Sequence, residues 1–217
     1  MRSERQAMVQ ASARVFGAVL LAGALTSGRS SSAADAITSV YTNFDADKCR
    51  HKAGVEPEGY GVWRCPGYKG SPVLLSAGDQ RMYVSYGQGS GGDFAASQTF
   101  PGFNDVYKGA VEWRLEKIAA GKRRPLATIL RWNVMTASDV EGATGPAKAT
   151  GRVLVVTRLG PGGVCHIGYV DARANPDANQ LAREIADEHA RSFRCGKDKR
   201  IVRGIVSPGL AMPRDPE

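Results

Sequence analysis

The sequence predicts an α+β domain: a mostly antiparallel β-sheet of about seven strands, packed by one C-terminal α-helix. Three observations carry this. Short β-prone runs separated by turn pairs fill residues 61–86. Longer runs with a two-residue apolar alternation fill residues 111–171. One amphipathic stripe with helical spacing follows, from Ala178 to Phe193.

Taken in order, Ser39 to Thr42 is a short β-prone start, and the polar stretch from Asp45 to Gly59 reads as a loop. Gly61 to Cys65 is a strand ended by the Pro66-Gly67 turn pair. Val73 to Ser76 and Arg81 to Tyr86 follow as strands, with Gly78-Asp79 between them, which makes an antiparallel meander. Val111, Trp113 and Leu115 alternate with Glu112, Arg114 and Glu116, the latter reading as a solvated face. Gly121 to Pro125 turns the chain. Leu126, Thr128, Leu130, Trp132 and Val134 then share one face of a long strand. Thr136 to Gly151 reads as a loop. Arg152 to Leu159 is apolar on both faces, and Val164 to Asp171 returns as its hairpin partner. In the helix Asn175 is the expected cap, and Pro176 suits the first turn. Gly196 supplies the stop.

Residues 1–34 read as a signal peptide. Arg2, Arg5 and Arg14 precede an unbroken apolar run of 11 residues, Val15 to Leu25. A membrane-spanning helix needs roughly 18–20 residues, a secretory core only about 7–15. Small residues follow, and cleavage is placed after Ala34, with cleavage after Ala36 as the alternative. No Arg-Arg pair precedes the run, which favours the general secretory route. Residues 35–206 then form one domain and 207–217 a flexible tail. Losing four arginines and one glutamate with the signal takes the formal charge from +8 to +5. That surplus favours anionic neighbours but specifies none.

All four cysteines, Cys49, Cys65, Cys165 and Cys195, lie beyond the signal. An even count in an exported chain argues for two disulfides. Of three possible pairings, Cys49–Cys65 and Cys165–Cys195 each close a local loop. Zinc would normally show close CxxC or HxxxH spacings, and neither is present. No metal or cofactor is expected.

Catalytic motifs are similarly thin. Gly87 to Gly92 matches GxGxxG arithmetically, but no helix is expected to open after it, and the motif needs one. His189 lies on the apolar stripe, so a packing role is expected for it. His166 and Cys165 are neighbours on a strand and face opposite sides. The carboxylates Glu112, Glu116, Asp171, Asp187 and Glu188 form no recognisable acid–base pair. Basic clusters stand at Lys48, Arg50, His51 and Lys52, at Lys122, Arg123 and Arg124, and at Lys197, Lys199 and Arg200. Tyr60, Trp63, Tyr68, Tyr83 and Tyr86 gather in the meander. The candidate anion- or partner-binding residues are therefore Lys122, Arg123, Arg124, Arg81 and Tyr83.

Several stretches resemble a family of uncharacterised exported proteins of alphaproteobacteria. They are Tyr41-Thr42 leading to Cys49, WRCPGYKG (63–70), GDQRMYVSYG (78–87), LATILRW (126–132), LVVTRL (154–159) and the long segment from Cys165 to Asp187. The resemblance spans most of residues 39–195 and implies a periplasmic or secreted bacterial protein. It implies no activity, substrate or catalytic residue. The function expected is a non-enzymatic binding protein for an anionic envelope polymer or another exported protein. The alternative is an exported hydrolase whose site is assembled from distant residues. Neither specific nucleic-acid binding nor a membrane span after cleavage is expected.

Overall fold

The computed structural model describes residues 37–54, 61–87, 93–141 and 148–215. The signal peptide, its cleavage site, Tyr60 and most of the glycine-rich loop lie outside the described residues. What is described is β-dominant α+β, and its strands divide into two sheets.

The meander is a sheet of its own. Strands β2 (Arg50–Ala53), β3 (Gly61–Cys65), β4 (Val73–Gly78) and β5 (Arg81–Tyr86) pair antiparallel in chain order. β2 falls where a loop is expected, because Arg50 to Ala53 pair along their length with β3. The β4–β5 hairpin turns on Asp79 and Gln80, both at positive φ (51° and 55°). Two successive residues there match the turn whose twist suits a tight hairpin.

The larger sheet has seven strands. Its order is β1 (Ile37–Asp45), β7 (Lys108–Ala119), β8 (Lys122–Val134), β9 (Gly151–Arg158), β10 (Cys165–Asp171) and β11 (Ile201–Val202). The short β6 (Asn104–Asp105) also pairs with β8. Pairing is antiparallel except at β10–β11, which is parallel. β7 and β8 run closer to their turn than expected, so Lys122 to Arg124 belong to a strand. Four residues, Ala137–Val140, form α1, and Ala178–His189 form α2, the long C-terminal helix.

Alternation along the large sheet's strands separates two cores. On one face Val111, Trp113, Leu130, Trp132, Val155 and Tyr169 meet the inner residues of the small sheet, among them Val73, Leu75, Val84 and Tyr86. On the other face Ala127, Ile129, Leu154, Val156, Ile167 and Val170 meet Ala178, Ala182, Ile185 and Ala186 of α2. The described residues thus form three layers: small sheet, large sheet, helix. Leu126 departs from the expected face. The register slips between Arg114 and Leu115, and this bulge sends Leu126 to the helix side beside Ala127. Another slip, in β10, lies between His166 and Gly168. It lets Gly168 lie beneath α2, where an added Cβ would come 2.8 Å from Ile185 Cγ2.

Two disulfides, Cys49–Cys65 and Cys165–Cys195, join the pairs the local loops suggest. They fit an oxidising, extracytoplasmic setting. The first ties the approach to β2 onto β3. The second ties the segment after α2 to β10. Among the described residues no helix is long and apolar enough to cross a membrane.

Three details differ from expectation. Asn175 does not cap α2 through its side chain. Its amide instead donates to the carbonyls of Asp171 and Ile205 and accepts from Ile205 N–H, bridging two chain segments. His189 is not packed under the helix: its side chain is 39% exposed beside Glu188, because Ala190, four residues after Ala186, takes the buried position. The stretch from Ser207 is no loose tail. Leu210 is buried, Ser207 N–H donates to Asp171, and Asp215 pairs with Arg200 at 2.8 Å.

Candidate functional site

Charged residues fall into two very different settings. The first lies between β7 and α2. Glu112, Arg114 and Glu116 face the helix and are only 6–7% exposed, so they are not the solvated stripe their alternation suggests. Two strand residues advance about 6.8 Å and four helix residues about 6 Å, so the two repeats stay in step over three rungs. Glu112 meets Arg183 (2.7 Å), Arg114 meets Asp187 (2.5 Å) and Glu116 meets Arg191 (2.7 Å). Arg124 adds a second contact to Glu116 at 2.6 Å, and Ser39 Oγ bonds both Glu112 and Arg114. Burial alone pushes the Glu112 carboxyl up. The hydrogen bonds from Arg183 and Ser39 and the charges of Arg183 and Arg114 outweigh it and hold Glu112 below the usual carboxylate range. Glu116 follows the same pattern, with Arg191 and Arg124 overcoming burial. Each charge here answers another within the fold, so the ladder is an internal fastening.

The second setting is the outer face of the small sheet. Register brings two rows of side chains onto that face. One row reads Arg50, Arg64, Leu74, Ser85 and the other Lys52, Val62, Ser76, Tyr83. Cations occupy the β2–β3 side, with Arg50, Lys52 and Arg64 all exposed. Val62, half exposed, and the partly buried Leu74 and Tyr83 form an apolar floor. A wall rises at the β5 side, where Ser85 Oγ donates to Asp93 and Ala95 N–H donates to the carbonyl of Val164, just before β10. The depression so enclosed holds about 430 Å³. A second one, about 540 Å³, continues it along Lys52, Val62, Ser76 and Tyr83 toward the β4–β5 turn. Together they make one groove with a basic flank and an apolar floor. Arg50 and Lys52 make no ion pair with any other described residue, in contrast to every rung of the ladder.

The five residues singled out in the sequence are not brought together. Tyr83 lines the groove, and Arg81 sits next along β5, where Asp79 engages its guanidinium. Lys122, Arg123 and Arg124 start β8 in the other sheet. Arg124 turns to the helix side to reach Glu116, and Arg123 donates to Thr38 Oγ1 at 3.0 Å. The helix side that Arg124 faces and the groove that Tyr83 lines are on opposite sides of the large sheet, so these two residues do not share a face. Arg50 and Lys52 replace this cluster as the cations beside Tyr83. Their spacing of two residues is the strand signal that marks them, and it is hidden while Asp45 to Gly59 reads as a loop.

The histidines are dispersed. His166 is enclosed between the sheets, with Nδ1 3.2 Å from Tyr169 Oη and its ring edge-on to Trp132. Burial, and secondarily the charge of Arg200, lower it to about 3, so it is neutral at ordinary pH. His51 stacks on Trp63 with ring centroids 4.6 Å apart. Ser85, hydrogen-bonded to Asp93 in the groove, lies three strands from His51, roughly 14 Å at sheet spacing. A serine–histidine relay needs hydrogen-bond reach, about 3 Å. No three His, Cys, Asp or Glu side chains among the described residues gather as a metal site.

No family model matches this chain, and no curated protein or solved structure matches it either.

Proposed function

We propose that this chain is an exported, non-enzymatic binding protein that takes up an anionic envelope polymer along the outer face of its small sheet. The observation that carries this reading is the pairing of exposed Arg50 and Lys52 with the apolar floor of Val62, Leu74 and Tyr83 in one groove. Cations left toward solvent attract a polyanion at long range. The floor and Tyr83 give contact area that bulk charge does not. The N-terminal pattern and the two disulfides support export to the periplasm or beyond.

Fluorescent dextran sulfate, with uncharged dextran as its control, is the probe. Binding to dextran sulfate alone is expected, saturable and weakened by salt. Arg50→Glu combined with Lys52→Glu is expected to weaken it at least tenfold. Reversing Lys197 and Lys199, an equally basic pair elsewhere, is expected to change it about twofold at most. Turnover in a broad hydrolase panel, with no dextran sulfate binding, would replace this reading by the hydrolase alternative.

A further inference from the structure

A sheet edge presents unpaired N–H and C=O groups, and proteins ordinarily blunt it with short strands, charge, proline, bulges or a covering segment. The main strand orders of the two sheets end in four edge strands among the described residues, and three carry such a device. β11 is only two residues long. β5 is covered by residues 99–106: Met82 N–H donates to Asn104 Oδ1 and Met82 C=O accepts from Thr99 Oγ1. β2 carries Arg50, His51 and Lys52 in succession.

The fourth edge, β1, has none of these among the described residues. It is nine residues long, ITSVYTNFD, and pairs with β7 through nine consecutive positions without a bulge. From Ile37 to Phe44 it contains no charge and no proline, and it is rich in β-branched and aromatic residues. Thr38, Tyr41 and Asn43 are exposed along it, Tyr41 by 56%.

We infer that β1 is the seat of a homodimer, in which two copies pair antiparallel edge to edge and join their large sheets. The strand is self-complementary. A two-fold axis at Tyr41 sets Tyr41 against its counterpart, Val40 against Thr42, Ser39 against Asn43 and Thr38 against Phe44. Successive residues point their backbone groups to alternate edges. This register maps either set onto itself, so outward donors meet outward acceptors whichever set faces out. The strand's one charge, Asp45, falls at the end of the pairing opposite Ile37. A dimer built on β2 would instead set cation against cation. Two-fold pairing is also the commonest closed symmetry. The interface lies at the small end of the specific range, and the association is correspondingly weak.

Sedimentation equilibrium of the purified, disulfide-intact protein tests this, over a concentration range reaching roughly 100 µM. A monomer–dimer equilibrium is expected. Tyr41→Lys sets two ammonium groups against each other on the axis and is expected to weaken the dimer at least tenfold. Asn43→Lys, at an exposed position with no side-chain hydrogen bond among the described residues, keeps the test valid if Tyr41→Lys unfolds the chain. Ile205→Lys, at an exposed apolar residue away from β1, is expected to leave the dimer unchanged. A wild-type protein that stays monomeric throughout would overturn the inference. So would folded β1 variants that dimerise as tightly as the wild type. Dextran sulfate binding is read separately, so neither proposal stands or falls with the other.

Discussion

The helix side of the large sheet and the outer side of the small sheet use the same residue types to opposite ends. Under α2, Glu112, Arg114 and Glu116 are buried, and each meets a partner on a matching repeat, Arg183 and Asp187 on the helix and Arg191 just past its end. On the small sheet, Arg50 and Lys52 are exposed beside an apolar floor. The difference teaches that charge alone does not mark a binding surface. A charge answered within the fold contributes to stability, and one left toward solvent next to contact area is available to a ligand.

The largest expected effect comes from breaking the ladder. Arg114→Met leaves Asp187 without its partner and removes one of the cations facing Glu112. It should cost about 3 kcal/mol in urea unfolding, the scale for removing one member of a buried pair. Dextran sulfate binding by the folded fraction should not change. Loss of binding with stability intact would reverse the assignment of the two regions.

The disulfides divide along the same line. Replacing Cys165 and Cys195 by serine should cost about 3 kcal/mol, by loop-closure reasoning, with the groove unaffected. Replacing Cys49 and Cys65 should cost a similar amount and also weaken binding, since that bridge fastens the approach to β2. Equal binding by the two variants would show that β2 needs no fastening to present its cations.

A third difference is seen with pH. The folded pKa of His166 is lowered from 6.5 to about 3. Its contribution to stability is therefore present above pH 6.5, where both states are neutral. It is lost as pH falls toward 3, because only the unfolded chain takes up the proton. The slope is about 1.4 kcal/mol per pH unit within that window. His166→Gln should flatten it in a pH series of denaturant midpoints. Glu112 and Glu116, held low by their arginines, extend the loss below the ordinary carboxylate range, and that part should persist in the variant.

The smallest expected effect on stability belongs to the groove. Arg50→Glu with Lys52→Glu should shift unfolding by less than about 0.5 kcal/mol, as surface substitutions generally do.

Much of the fold was legible because alternation is local. Val111, Trp113 and Leu115 announce a strand with one buried face, and Ala182, Ile185 and Ala186 announce the helix that covers the other. The disulfide pairing followed from loop length alone. The second face of β7 was not legible, since Glu112 and Arg114 look solvated until Arg183 and Asp187 are placed above them. That placement depends on the sheet order, which sequence spacing does not reveal. The groove was half legible. Tyr83 declared its face within β5, but Arg50 and Lys52 reach the same face only through three strand pairings, and their four-residue strand carries no apolar alternation. The register slips escaped notice for a similar reason: a one-residue slip exists only relative to a partner strand.

The most direct test of the central claim is one titration of fluorescent dextran sulfate into two charge-matched variants at constant ionic strength. One carries Arg50→Glu and Lys52→Glu, the other Lys197→Glu and Lys199→Glu, so their net charges are equal. The account predicts at least tenfold weaker binding for the first and near-wild-type binding for the second. Equal weakening of both would contradict it and reduce the interaction to net charge alone.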